Sequence, residues 1–463
     1  MTPDRPIPFT LAQIRALSNT YPTPFYVYDE AGIRREIRRL LQAFSWNKGF
    51  REYFPIKALP NPAIVRILRD EGCGADCISV PELIIADRLG MSGDSVTLTS
   101  NQTADEEFAM ARRMNAIINL DDADHLSYVD KRWGLPEVLC ARYNPGPTEV
   151  IGTTTWPRLE NQKFGMRKDQ LFETYIKALN RGVRRFGLHM MIMSNDIDGL
   201  HIVDTARKCF ETAVELRRLV GIDLEFIDLG GGVGIPYRPD QVAIDMVDIS
   251  RQIRELYEQL IAAKELAPFR LYTEFGRYVT GQHGYLVTKV RHVKHSYKRF
   301  VGLDASMADF MRPGMYGSYH HIELLDGQGT RPITTYDVVG SLGANNDKFA
   351  IDRELPTLQS GDVLVIHDVG AYGRGKGFNF NGKLRAAELL LREDGTFKQI
   401  RRAETPDDYF ITLCDWESAR EDRPGRPRTD AAGAGDEARA RDRAAGVNNH
   451  EERMHGTARA LSG

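Results

Sequence analysis

Cysteine is scarce in this 463-residue chain: there are five, Cys73, Cys77, Cys140, Cys209 and Cys414, scattered along its length. So few, so far apart, exclude a disulfide framework. Cys73 and Cys77 have no second Cys/His pair at finger spacing, so they read as small buried thiols and no metal site is expected. Charge of one sign is also missing. A formal net charge of −3 gives no basic footprint for nucleic acid and no strong acidic bias. The N-terminal MTPDRPIPFTLAQIRAL holds no apolar run of signal-peptide or membrane-span length. The expectation is a cytoplasmic protein with neither nucleic acid nor membrane as partner. Beyond Trp416 there is no aromatic residue at all, and 416–463 is mostly Arg, Ala, Gly, Asp and Glu. Such a segment buries too little apolar surface to offset its ordering entropy, so it reads as a disordered tail.

What is present is ordinary in bulk, 42% hydrophobic and 27% charged, on a length that allows two or three domains. The pattern is more pointed. Eight short β-branched or aromatic runs recur: EYFPI (52–56), ADCIS (75–79), SVTLT (95–99), AIINL (116–120), VLCARY (138–143), FGLHMM (186–191), LEFIDL (224–229) and LYTEF (271–275). Helical patterns such as PAIVRILRDEG and HIVDTARKCFETAVELRRLVG lie between them, with Pro62 and Pro81 where a helix would start. Eight strand–helix units predict a (β/α)8 barrel, with a doubly wound open sheet as the alternative. After Gly276 the texture changes to strand-like runs separated by turns. The expected organisation is an N-terminal segment, 1–30, contributing to the β domain, a barrel over 31–276, an all-β C-terminal domain over 277–415, and the tail.

In a barrel, reactive residues sit at the C-terminal ends of the strands. Those positions hold Lys57, Arg142, Asn144, His189, the glycines after Asp228, and Glu274. The set includes each group that pyridoxal phosphate needs. DLGGGVGIPY places Gly230, Gly231 and Gly232 where backbone N–H groups can converge on a phosphate, although a tight βα turn would look the same. Glu274 in TEFGR is a carboxylate for a pyridine nitrogen, or else half of a strand-end ion pair with Arg277. Lys57, among apolar neighbours in YFPIKALPNP, is an amine for a Schiff base. MRPGMYGSYHH offers Arg312 and Tyr316 to a substrate carboxylate, and Tyr372 sits on a glycine-flanked turn within reach of a phosphate.

The blocks YFPIKALPN, GCGADCISVPEL, ARYNPG, NQKFGM, FGLH, DLGGGVGIPY, TEFGR, FMRPGMYGSYH, NNDKFAIDRELP and DVGAYG…FNFNGKLRAAE together resemble the diaminopimelate decarboxylases. These belong to the alanine-racemase-fold (fold type III) pyridoxal-phosphate decarboxylases, and the resemblance runs in order from about Pro24 to about Tyr409. It implies a pyridoxal-phosphate-binding TIM-like barrel followed by the β domain. It also implies conversion of meso-diaminopimelate to L-lysine and CO2, within lysine biosynthesis. Lys57 then matches the Schiff-base lysine and Glu274 the partner of the ring nitrogen. His189, Ser194, Gly230, Gly231, Gly232, Gly276, Arg277 and Tyr372 match cofactor positions. Arg277, Arg312, Tyr316 and Tyr372 match positions around the amino-acid substrate. A head-to-tail homodimer with shared active sites is implied as well.

Two departures stand out. Met191 occupies the place of a histidine that stacks on the cofactor ring, where a thioether can still make an S–aromatic contact. At Gly343 and Ala344 the family carries Cys-Glu, the Cys a proton donor from the partner subunit and the Glu a holder of the substrate's distal ammonium. The flanking VVG and NNDKFAIDRELP keep register. Three readings follow: a decarboxylase with an altered substrate, a racemase or epimerase using Lys57 as one base, and a non-catalytic, regulatory cofactor-binding homologue.

Overall fold

A computed structural model describes residues 6–147, 159–325 and 331–414; the expected tail over 416–463 lies outside them. Strand β1 (Phe25–Asp29) precedes eight parallel strands, β2 (Arg51–Pro55), β3 (Gly74–Cys77), β4 (Val96–Leu98), β5 (Ile117–Leu120), β6 (Val138–Arg142), β7 (Arg185–His189), β8 (Phe226–Asp228) and β9 (Arg270–Thr273). They close in sequence order, with β9 returning to β2 through Arg51↔Tyr272 and Glu52↔Thr273. The barrel, not the open sheet, is therefore the fold, and each of the eight apolar runs carries one of its strands. Helices cover its outside. The helix Pro62–Asp70 shows why they form: Pro62 begins it, Asn61 caps it by accepting from the Ala63 N–H at 3.0 Å, and Ile64, Val65, Ile67 and Leu68 bury one stripe.

Strand alternation sorts the barrel interior into layers. Tyr53, Ile117, Cys140, Phe226 and Tyr272 cluster in a lower layer, with Phe226 and Tyr272 rings 4.7 Å apart and Tyr53 4.8 Å from Tyr272. Three aromatic rings fit because two neighbouring strands contribute glycine. A Cβ on Gly187 would lie 2.0 Å from Phe226 Cζ, and one on Gly74 2.5 Å from the Tyr53 ring. Two residues further along the strands come Asp76, Asn119, Arg142, His189, Asp228 and Glu274, all buried. The aromatic plug is the floor on which this polar layer stands.

The second sheet is mostly antiparallel and contains β10 (Gly284–His295), β11 (Arg299–Leu303), β12 (Ile322–Leu324), β13 (Ile333–Val339), β14 (Lys348–Pro356), β15 (Val363–Ile366), β16 (Ala387–Leu391) and β17 (Phe397–Arg401). β1 lies between β10 and β16, pairing Phe25↔Val287 and Phe25↔Ala387, with Phe25 to Tyr28 fully buried. β12 is only three residues long, and β14 alternates charged and apolar positions weakly, so neither carries a strong strand signal. β13 and β14 form a hairpin whose connection is the Gly343–Ala344 loop. Its one acid, Asp347, is buried and accepts from the backbone N–H of Met307 (2.7 Å) and Leu342 (2.8 Å), so it shapes the loop. After Thr405 a separate unit begins, of which a short helix, Pro406–Phe410, is described. Among the described residues, no helix is long and apolar enough to cross a membrane.

Gly187→Ala is expected to cost about 1–3 kcal/mol by overpacking against Phe226. A lowered urea midpoint would register this, with partial recovery in Gly187→Ala/Phe226→Leu; an unchanged midpoint would contradict the close-packed floor.

Candidate active site

Lys57 lies in the single turn Ile56–Ala58 that follows β2. Parallel register sets Pro55 opposite Asp76 at the end of β3, which brings Asp76 Oδ2 within 2.8 Å of Lys57 Nζ. The other carboxylate oxygen accepts from Thr97 Oγ1 at 3.2 Å. Lys57 keeps 33% of its side-chain surface open to solvent while Asp76 is buried. Burial works to lower the Lys57 pKa, but Asp76 and then Glu274 outweigh it and hold the ammonium well above the ordinary lysine range. Burial raises the Asp76 carboxyl, Glu274 adds to the rise, and Lys57 opposes both.

Glu274, just past β9, sits across the polar layer with His189 Nε2 3.5 Å from its Oε1. Burial would raise its carboxyl, yet His189, Lys57 and Arg142 bring it down to about 2. Asp228, also fully buried, goes the other way: burial and then Glu274 push it well above the usual range. One carboxylate of the layer is thus held ionised while its neighbour is driven toward the neutral form.

Lys57, Met191, Ser194, Gly231, Gly232, Glu274, Gly276, Arg277 and Tyr372 line one cleft at this end of the barrel. Gly230 and Gly232 take φ of +64° and +107°, and a Cβ there would fall 2.7 Å from Met190 O and 2.5 Å from Met193 O. Glycine is the residue that lets this loop turn so close to the next backbone. Tyr372 also has a positive φ, +55°, and its N–H donates to Ala58 O at 2.8 Å, next to Lys57. This backbone conformation, unusual for a tyrosine, sets the residue at the edge of the cleft.

Arg277 and Arg312 converge on one phenol, Tyr237, whose oxygen accepts from both guanidinium groups, at 2.6 Å from Arg312. Arg312 is buried and also meets His320 Nε2 at 3.2 Å, while His320 Nδ1 lies 2.9 Å from His367 O. Burial, and then the Arg312 charge, drive the His320 ring well below its usual pKa. A neutral ring protonated on Nδ1 donates to the His367 carbonyl and accepts from Arg312. Burial also lowers Arg312. Among the described residues, neither arginine makes an ion pair with a carboxylate.

The structure does not bring Tyr316 into the cleft. It is 58% exposed, with the Lys376 ammonium 4.9 Å over its ring. Three residues that sequence reasoning passed over stand in the site: Asp76, Tyr237 and His320. Asp76 had a readable signal, a carboxylate at the end of the strand after the lysine strand. Tyr237 and His320 end two of the family-like blocks, DLGGGVGIPY and FMRPGMYGSYH, but nothing in those blocks shows that Arg312 would bring the two together.

Residues 30–281 match the family model described as pyridoxal-dependent decarboxylase, pyridoxal binding domain. Protein TabA of Pseudomonas amygdali pv. tabaci is 42% identical over 393 residues, covering 85% of this chain and 91% of that protein. The diaminopimelate decarboxylase of Methanothermobacter thermautotrophicus is 34% identical over 399 residues, covering 85% and 92%. Among solved structures, diaminopimelate decarboxylase from M. jannaschii superposes with a TM-score of 0.79 at 31% identity, over 86% of this chain and 94% of that one. The Helicobacter pylori diaminopimelate decarboxylase complexed with L-lysine also gives 0.79, at 28% identity over 86% and 98%.

Asp76→Asn removes the strongest influence holding the proton on Lys57 and leaves burial to act, so the Lys57 pKa is expected to fall. The pH profile of Lys57 acetylation, read by peptide mass spectrometry on cofactor-free protein, should move to lower pH. An unmoved profile would mean that the pair does not control this amine.

Proposed function

The chain belongs to the pyridoxal-dependent decarboxylases, and from that premise we propose that it decarboxylates an α-amino acid whose distal end differs from that of diaminopimelate. The observation that carries the altered end is the β13–β14 loop. At Gly343 and Ala344 it presents backbone and one methyl group, its neighbouring acid Asp347 is spent on two backbone N–H groups, and Gly343 N–H donates to Asn381 Oδ1 at 2.7 Å. A distal ammonium finds no carboxylate there.

Pyridoxal phosphate is the cofactor of this family, and the residues present fit it. Apart from their own long 3.5 Å contact, Glu274 Oε1 and the ring nitrogens of His189 are buried without a hydrogen bond among the described residues, a cost that a bound polar group would relieve. Lys57 Nζ would bind the carbonyl carbon, Glu274 would face a ring nitrogen, and Ser194, Gly231 and Gly232 would take the phosphate. Bound there, pyridoxal phosphate supplies an electron sink for the pair left when CO2 departs.

The chain's own groups do the rest. Lys57 Nζ must shed a proton before it is a nucleophile, and Asp76 Oδ2, 2.8 Å away, is the acceptor in reach. Glu274, with its carboxyl at about 2, stays ionised and would hold a proton on a ring nitrogen bound opposite it. Met191 offers a thioether to a ring face. Arg277 and Arg312, two cations sharing the Tyr237 phenol, suit a substrate carboxylate. The reading includes a homodimer: Gly343 and Tyr316 lie on exposed surface of one chain and would complete the cleft of the other.

Holoprotein incubated with meso-diaminopimelate, lysine, ornithine, arginine and glutamate is expected to release CO2 from an amino acid other than meso-diaminopimelate, and Lys57→Ala to abolish release. Silence on every amino acid would remove the decarboxylase reading, and ordinary turnover of meso-diaminopimelate would remove the altered substrate. Gly343→Cys/Ala344→Glu should raise meso-diaminopimelate turnover by a factor on the order of a hundred, the contribution of one positioned acid. No gain would show that the loop does not limit the reaction.

A further inference from the structure

We propose that His321, Glu323 and His367 form a binding site for a borderline divalent cation of the zinc class, on the second sheet and apart from the cleft. β12 and β15 run antiparallel in the register Ile322↔Ile366 and Glu323↔Val365. The next pair outward is His321 opposite His367, joined by the His367 N–H donating to His321 O at 3.0 Å. Alternation then puts both imidazoles and Glu323 on one face. The rings have centroids 5.1 Å apart, His367 Nε2 lies 3.2 Å from Glu323 Oε2, and one donor atom from each residue lies within 4.8 Å of the others. Donors around a tetrahedral zinc are about 3.4 Å apart, so closing the set takes side-chain rotation of roughly 1 Å.

The surroundings suit an ion. His367 is buried, and the Tyr285 ring stands edge-on at 5.5 Å beneath it, backed in turn by Phe9. Glu323 keeps 45% of its side-chain surface in solvent, leaving an entry path and a place for a water as fourth ligand. A His–Glu pair alone would be an ordinary surface contact. The second imidazole, placed by register directly across the strand pair, is what makes a ligand set of two nitrogens and an oxygen.

The site has a consequence for the cleft. His367 O accepts from His320 Nδ1, and His320 Nε2 meets Arg312. An ion held by His321 and His367 clamps the edge strand β12 to β15 on either side of that contact, and so fixes the support of Arg312.

The test is zinc titration of the chelator-stripped holoenzyme against a competing chromogenic chelator. One tight equivalent per chain is expected, weakened roughly tenfold or more in His321→Ala and in Glu323→Gln, both of which change solvent-facing groups. The Arg312→Lys variant, a change in the cleft, should bind zinc as the unaltered chain does. Zinc bound equally well by folded His321→Ala and Glu323→Gln proteins, as judged by circular dichroism, overturns the proposal. So does the absence of saturable binding in the folded holoenzyme.

Discussion

Buried charge standing on an aromatic floor is the constraint on which the rest of this molecule depends. Asp76, Asp228 and Glu274 are all inside the barrel, and three carboxylates in one low-dielectric layer cannot all be ionised without cations among them. Lys57 and Arg142 supply two. The outcome is unequal: Glu274, 3.5 Å from His189 and within the field of both cations, keeps its charge, while burial and then Glu274 itself push Asp228 toward neutrality. The layer holds its geometry because Tyr53, Phe226 and Tyr272 fill the barrel below it and leave no room to relax downward.

The same constraint explains why the lysine and its counter-ion come from adjacent strands. A lone buried ammonium would lose its proton, and a lone buried aspartate would gain one. Setting Pro55 opposite Asp76 in a parallel register solves both at once and leaves a proton to be passed along a 2.8 Å contact. The arginine pair follows a similar logic one step further from the barrel axis. Arg277 comes from the short helix Gly276–Thr280 after β9 and Arg312 from the short helix Arg312–Tyr316 between β11 and β12. Tyr237 Oη gives both a shared acceptor, and among the described residues no carboxylate pairs with either.

The barrel was legible because its strands are short apolar runs at regular spacing, and eight of them leave few other ways to bury both faces of each strand. Residues at strand ends were legible for the same reason: once β2 and β9 are placed, Lys57 and Glu274 fall at the open end. Contacts between elements distant in the chain were not. The Arg312–His320–His367 chain and the His321–Glu323–His367 cluster both rest on the β12–β15 register, and a three-residue strand has almost no periodicity to read. Tyr316 could be named as a candidate from its motif, but its exposure in a single chain could not.

The charged layer of the barrel and the Gly343–Ala344 loop are tied to the rest of the molecule in different ways. Lys57, Asp76 and Glu274 are bound to one another through the barrel's polar layer, so substitution of any one shifts the protonation of the others. The Gly343–Ala344 loop has no such ties. Asp347 and Asn381 accept from the Leu342 and Gly343 N–H groups, and Asn346 Nδ2 donates to Gly314 O at 3.3 Å. Glycine and alanine at 343 and 344 carry no charge, so neither position enters the charge balance of the barrel. A layer whose members set one another's protonation resists substitution, whereas a loop outside that charge balance does not carry the same constraint.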